Sequence, residues 1–157
     1  MLDSSLIDSI KAINESISFD EESQIFILEK VEEWLEISEK IKELGFDYLM
    51  CITSIDLEDE KLSLAYNLNS TESQATIEFN LMFSSDTEIP SVESIWKTAD
   101  WHEREAYDMM GIKFSGHPDM KRILLPHDWE GHPLKKDYEV ADYYHGMYIP
   151  KDKTSWE

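Results

Sequence analysis

The expected fold is α+β: an antiparallel sheet of about four strands with helices on one face, followed by an extended C-terminal segment and tail. Three observations predict it. Residues 62–68 and 75–83 alternate apolar and polar side chains at the period of a half-buried strand, with short turns beside them. Residues 30–44 repeat their apolar side chains at the helical period. From Trp101 to Tyr138 neither period persists beyond Gly111, while glycine, proline and histidine accumulate.

In chain order, Leu6, Ile7, Ile10 and Ile13 predict a helix over 4–14. Phe19 begins a short extended piece, and Gln24 to Leu28 is an apolar run read as an edge or first strand. Val31, Trp34, Leu35, Ser38, Ile41 and Leu44 form the stripe of the 30–44 helix, whose glutamates face out and which Gly45 ends. Residues 47–56 predict a central strand in which Cys51 is a buried thiol. A turn over 56–61 leads to the strand 62–68, and another over 69–73 to the strand 75–83. After a loop over 84–90, Asp100 and Glu103 stand at the positions of a helix cap and its capping box. Ala99, Glu103, Ala106 and Met110 share one side of that helix, and Gly111 stops it. Glu103, set in an apolar stripe, is either a rim residue or buried, and if buried it requires a basic partner or backbone donors, with Arg104 or an incoming lysine expected. The chain divides into an α+β domain over 1–112 and an extended loop and tail over 113–157.

The chain has 157 residues and a formal charge of −20. Residues 1–90 carry 21 acidic and 5 basic side chains, whereas 111–136 carry 3 and 5, so a positive segment lies on a negative body. Such a body disfavours nucleic acid, and the positive segment reads as an edge for another protein. No apolar run approaches the ~20 residues of a membrane helix, and the acidic N-terminus is not a signal segment, so a cytoplasmic protein is expected. The single Cys51 excludes an internal disulfide and any iron–sulfur cluster held by this chain's cysteines alone. His102-Glu103 lacks the second histidine of a zinc-protease helix, because position 106 is Ala106. His117, His127 and His132 lack the tight pair of common metal sites, and no glycine-rich phosphate loop is present.

The turn-rich stretch reads WHEREAYDMMGIKFSGHPDMKRILLPHDWEGHPLKKDY. It contains Glu103-Arg104-Glu105, Tyr107-Asp108, Gly111-Ile112, and two Gly-His-Pro copies at 116–118 and 131–133. Each copy precedes a basic pair, Lys121-Arg122 and Lys135-Lys136, presented from a stiff turn because proline fixes φ and restrains its neighbour. Ile123-Leu124, Pro126, Asp128-Trp129 and Asp137-Tyr138 complete the run. It resembles the signature of the 30 kDa subunit family of respiratory complex I, the NADH-quinone oxidoreductase, over about a quarter of the chain. His102 stands where many members carry a hydrophobic residue, and Lys121 and Lys135 where many carry arginine.

The resemblance implies a non-catalytic structural subunit in the peripheral arm of a membrane-bound, complex I-like oxidoreductase. It implies a position on the cytoplasmic side of the cell membrane, packed on the large 49 kDa-type subunit. Iron–sulfur clusters and quinone belong to that assembly and to its cluster-bearing small subunits, and none to this chain. The donor, whether NADH, reduced F420, ferredoxin or hydrogen, is not legible in these residues. Arg104, His117, Lys121, Arg122, Asp128, Trp129, His132, Lys135, Lys136, Asp137 and Tyr138 are the implied subunit interface. Glu103, Tyr107, Asp108, Gly111, Gly116, Pro118, Gly131 and Pro133 are the implied structural residues. The tail after Glu139, with Tyr143, Tyr144, Tyr148 and Trp156 but no period of its own, reads as either a disordered end or a segment that wraps a neighbour, and the resemblance implies the second. A second reading is a small free-standing enzyme using Glu103, His117 and His132 as acid–base groups.

Overall fold

A computed structural model of the chain describes residues 2–149; Trp156 lies outside the described residues. Helix α1 (Ser4–Lys11), capped by the Asp3 carboxylate, leads to strands β1 (Ile17–Asp20) and β2 (Ile25–Leu28). A 3-10 turn over Val31–Glu33 runs into helix α2 (Trp34–Glu43). Strands β3 (Tyr48–Glu58), β4 (Lys61–Asn69) and β5 (Thr76–Ser84) form an antiparallel meander. The α+β class holds, with one strand more than expected and one junction of opposite sense. The sheet has five strands in the order β1-β2-β5-β4-β3, and β2 pairs with β5 in parallel, Phe26 opposite Phe79. A parallel pair needs a long crossover, which α2 and the β3–β4 hairpin supply.

One face of the sheet carries the core. Leu62, Leu64, Tyr66 and Leu68 of β4 oppose Phe83, Leu81, Phe79 and Ile77 of β5, and all eight are buried. Trp34 of α2 closes on this face, its ring 4.7 Å from Tyr66 and 5.3 Å from Phe79. Each fully buried side chain of this size contributes about 1.5–3 kcal/mol relative to exposure. The opposite face is polar at its centre: Asn67 donates to Glu78, and Ser63 donates to Asn80.

Strand β3, expected at the centre, is the edge of the sheet. A bulge between Leu49 and Cys51 inserts an extra residue, so Leu49 and Ile52, three apart, both reach the core. Cys51 is thereby turned out of it, half-buried on the polar face, with its thiol donating to Asn67 Oδ1 at 3.2 Å. A second bulge falls between Asp56 and Glu58, and Glu58, Asp59 and Glu60 turn into β4 with positive φ.

After strand β6 (Glu88–Pro90), helix α3 spans Ala99–Met110. The expected capping box is absent. Thr98 precedes the helix already in helical geometry and makes no side-chain cap bond, because the chain is coiled from Val92 onward. Asp100 therefore sits inside the first turn and Glu103 is free to face the core. Gly111 ends the helix as expected, at φ 74° with its N–H on the Tyr107 carbonyl. Strand β7 (Lys113–Ser115) then pairs in parallel with β6. The tail is more regular than expected: β8 (Tyr143–Tyr144) and β9 (Met147–Tyr148) form a hairpin. Its turn residues, His145 and Gly146, both have positive φ, as a two-residue turn of the favoured hand requires.

Candidate functional site

Helix α3 has two buried faces. Ala99, Glu103, Ala106 and Met110 face the core, as their spacing predicts. Asp100, Arg104 and Asp108 recur every fourth residue on another side, and there the C-terminal segment is laid down.

Asp108 is the centre of that seam. It is fully buried, and its Oδ2 accepts the backbone N–H groups of Ile123, Leu124 and Leu125 at 3.0, 2.8 and 3.0 Å. Its Oδ1 accepts from Arg122 at 2.6 Å. Burial pushes the Asp108 carboxyl up, but these four donors outweigh burial and hold it below its ordinary value. Arg122 also donates to the carbonyl of Asp108 at 3.2 Å and to that of Gly131 at 2.8 Å, tying the second Gly-His-Pro to the first.

The two Gly-His-Pro copies use their histidines differently. His132 Nδ1 donates to the Asp108 carbonyl at 3.0 Å, and its ring covers Gly111 and meets Tyr107 edge-on at 5.9 Å. A Cβ on Gly111 would lie 2.6 Å from that ring, so this glycine is required by contact as well as by φ. His117 is buried by its side chain, accepts the Asp119 N–H at Nδ1, and places Nε2 3.2 Å from Asp100, off the line of a hydrogen bond. Arg104, nearly buried, lies 3.7 Å from Asp100, donates to the Lys121 carbonyl at 3.4 Å, and sits 4.9 Å over the ring of Trp101. Trp101 itself is 61% exposed.

A family model described as respiratory-chain NADH dehydrogenase, 30 Kd subunit, matches residues 27–144, which include this seam and most of the sheet. The chain belongs to that family. Among curated relatives, the NADH-quinone oxidoreductase C subunit of Chloroherpeton thalassium is 48% identical over 130 residues, 80% of this chain and 54% of its own. Its counterpart in Chlorobium phaeobacteroides is 49% identical over 110 residues, covering 68% and 66%. The chain thus spans about half to two thirds of the length of these relatives. Two solved structures share the fold: the trypsin-resistant fragment of Nqo5, at TM-score 0.63 and 24% identity over 73% of this chain and 96% of that one; and a chain of the membrane-bound sulfane sulfur reductase, an archaeal respiratory membrane complex, at 0.72 and 21% over 92% and 98%.

In this member of the 30 kDa subunit family, the signature residues fall into an inner and an outer set. Tyr107, Asp108, Gly111, Arg122 and His132 bind one another along α3, and Arg104 joins them only by donating to the Lys121 carbonyl, whereas the Lys121 side chain and Asp119 pair at the surface, 2.6 Å apart. Gly131 and Gly116 both have φ of 80°; the first is covered by the ring of Tyr138 and the second is open. Pro118 and Pro133 follow in their turns. Trp129 Nε1 donates to Tyr138 Oη at 3.2 Å. Asp128 accepts from Tyr144 Oη at 3.0 Å and lies 2.7 Å from His145, contacts that hold its carboxyl below its ordinary value. Lys135 approaches Asp137 at 3.9 Å. Lys136 reaches back to the β3–β4 turn: its N–H donates to Asp56 and its Nζ to Glu58, each at 2.8 Å.

The two basic pairs therefore differ. Arg122 is an internal strut, and Lys136 an exposed clamp. We expect Arg122→Ala to lower the melting temperature of the isolated chain clearly, and Lys136→Ala to leave it unchanged within error, since exposed pairs contribute little. Thermal unfolding of the two variants checks this; equal shifts would contradict it.

Among the described residues Glu103 has no basic partner. Its carboxylate accepts from Ser91 Oγ at 2.6 Å and from the Val92 N–H at 2.8 Å, and Arg104 points to the other seam. Burial raises the Glu103 carboxyl to about 7, the two donors offsetting only part of it. Sequence reasoning placed Asp100 only as a helix cap, although its i,i+4 relation to Arg104 was readable. It missed Ser91, for which no local signal exists. Among the described residues no three His, Cys, Asp or Glu side chains converge as metal ligands.

Proposed function

We propose that the chain is a non-catalytic structural subunit of a complex I-like, membrane-bound oxidoreductase, in its peripheral arm on the cytoplasmic side. It packs on the large 49 kDa-type subunit beside cluster-bearing small subunits and supports quinone-linked electron transfer without a cofactor of its own. Membership of the 30 kDa subunit family supports the assembly. The observation that carries the structural role is the seam on α3, where the most polar signature residues are spent on fixing the backbone of 121–134. That produces a rigid surface, not a reactive one. No helix among the described residues is long and apolar enough to cross a membrane.

The acid–base enzyme reading finds no support in the geometry. Glu103 is fully buried against Ser91 and Val92, while His117 and His132 are committed to separate partners, so the three do not form one site. We expect the chain, taken from gently solubilised membranes, to migrate in native mass measurement with a 49 kDa-type subunit. The chain purified alone should carry no stoichiometric iron, zinc or flavin. A free monomer with turnover, or a bound stoichiometric metal, would overturn the proposal.

A further inference from the structure

Beyond the α3 seam, the tail builds a second feature. The β8–β9 hairpin folds back on Trp129 and lines an open cleft of about 270 Å³. Trp129, Tyr138, Tyr143, Tyr144 and His145 supply its rings; of its carboxylates, Asp128 already meets Tyr144 Oη and His145 Nε2, and Glu130 is the second. The cup is held before any ligand arrives. Trp129 is tethered to Tyr138, Tyr144 is tethered to Asp128, and the Trp129 and Tyr144 rings lie 5.1 Å apart. No lysine or arginine lines it among the described residues. Its outer wall is exposed: Tyr143 is 64% accessible and Tyr148 62%. Clustered exposed aromatics mark protein contacts, and ring faces beside carboxylates attract cations.

We propose that this cup receives a basic side chain, arginine in preference to lysine, from a partner protein. A planar guanidinium stacks on Trp129 or a tyrosine while donating to a carboxylate, which a compact ammonium does less well. The net charge of −20 draws in a basic protein segment and repels an anionic lipid surface, so a protein source is favoured over a membrane. That the partner is a subunit of the same assembly rests on the proposed function; that the cup binds a cation does not.

Two measurements test the cup. In the full chain, the indole resonance of Trp129 is followed while N-acetyl-arginine methylamide, its lysine and glutamate counterparts, or tetramethylammonium is added. Saturable shifts are expected with arginine above lysine and none with glutamate. The exposed position of Tyr143 lets Tyr143→Ala keep the fold, checked by an unchanged melting temperature, and it should weaken arginine binding about tenfold. No saturable shift, equal shifts with glutamate, or tetramethylammonium binding better than arginine would overturn the cup. In the assembled complex, a photo-reactive residue at Tyr143 is mapped by mass spectrometry. An adduct on a partner segment whose arginine or lysine, changed to glutamine, abolishes the adduct supports the proposal. An adduct on lipid, on an apolar partner segment, or on residues 150–157 of this chain overturns it. A chain that binds the arginine probe but enters no assembly counts against the proposed function and leaves the cation site standing.

Discussion

Asp108→Asn should destabilise the isolated chain by about 3–5 kcal/mol, the cost of removing one partner from a buried charged pair. The buried carboxylate accepts three backbone N–H groups and Arg122. An asparagine amide must turn its NH2 either on that N–H trio or on the guanidinium, and each choice sets donor against donor. The loss should be local first. Amide exchange at Ile123, Leu124 and Leu125 should accelerate more than exchange in β4. The pH dependence has a defined sign. The folded Asp108 carboxyl is held below its ordinary value, so its contribution is complete above the unfolded carboxylate range and disappears as pH falls through the folded value. Asp108→Asn should therefore flatten the acid limb of the stability curve. An unchanged melting midpoint with unchanged exchange at 123–125 would show that the seam does not depend on this side chain.

Glu103→Gln should act in the opposite direction. The carboxyl sits at about 7 when folded against an ordinary value of 4.5, a difference of about 3 kcal/mol between its protonation states. Because the folded value is raised, the folded state binds the extra proton. Stability is greatest below the unfolded value, falls as pH rises towards about 7, and is level above it. Glutamine copies the protonated form: its Oε1 accepts from Val92 and its NH2 donates to Ser91 Oγ. We expect the variant to match the parent near pH 4.5 and to exceed it at pH 8 by up to about 3 kcal/mol, read from denaturant titrations. A variant less stable than the parent at pH 8 would mean that the ionised carboxylate has support beyond Ser91 and Val92. The sequence suggests the reverse outcome, because the neighbouring Arg104 looks like the natural partner of Glu103. Adjacent helical residues point about 100° apart, and here that sends them to different seams.

Local periodicity carried most of the fold. The alternation of Leu62, Leu64, Tyr66 and Leu68 and the stripe at Ala99, Glu103, Ala106 and Met110 each lie within one element, and each appears as expected. Gly111 likewise announces the helix end by residue type. What was not legible depends on long-range pairing. Phe26 meets Phe79 in parallel across 53 positions, and no local pattern sets the direction of that contact. The bulge that turns Cys51 outward breaks the period it would have been read from. At the site, the signature residues divide into inward and outward side chains, a distinction the sequence does not carry. Lys121 and Arg122 are adjacent and alike in charge, yet one pairs at the surface and the other fills a buried seam, because only Arg122 can span Asp108 and Gly131 at once. The His145-Gly146 turn was readable from residue type, but the flanking strands are two residues each and too short to show a period.

The long edge strand β3 has a consequence for copies of this chain that meet in solution. Helix α3 packs against β3 and Thr98 Oγ1 donates to the Leu49 carbonyl, and the outward-facing backbone groups that remain unpaired are a template on which a second copy could add a strand, a growth that ends in aggregates. The interruptions fall near both ends of that edge. The first bulge lies between Leu49 and Cys51, and the second between Asp56 and Glu58, where Lys136 crosses from the C-terminal segment and fastens to both acidic residues. Between them the uninterrupted edge is short, and a strand from another copy would meet irregular backbone at one end and a cluster of like charges at the other. The same bulge that hid the register of β3 from sequence reading thus works against strand-by-strand association of one copy with another.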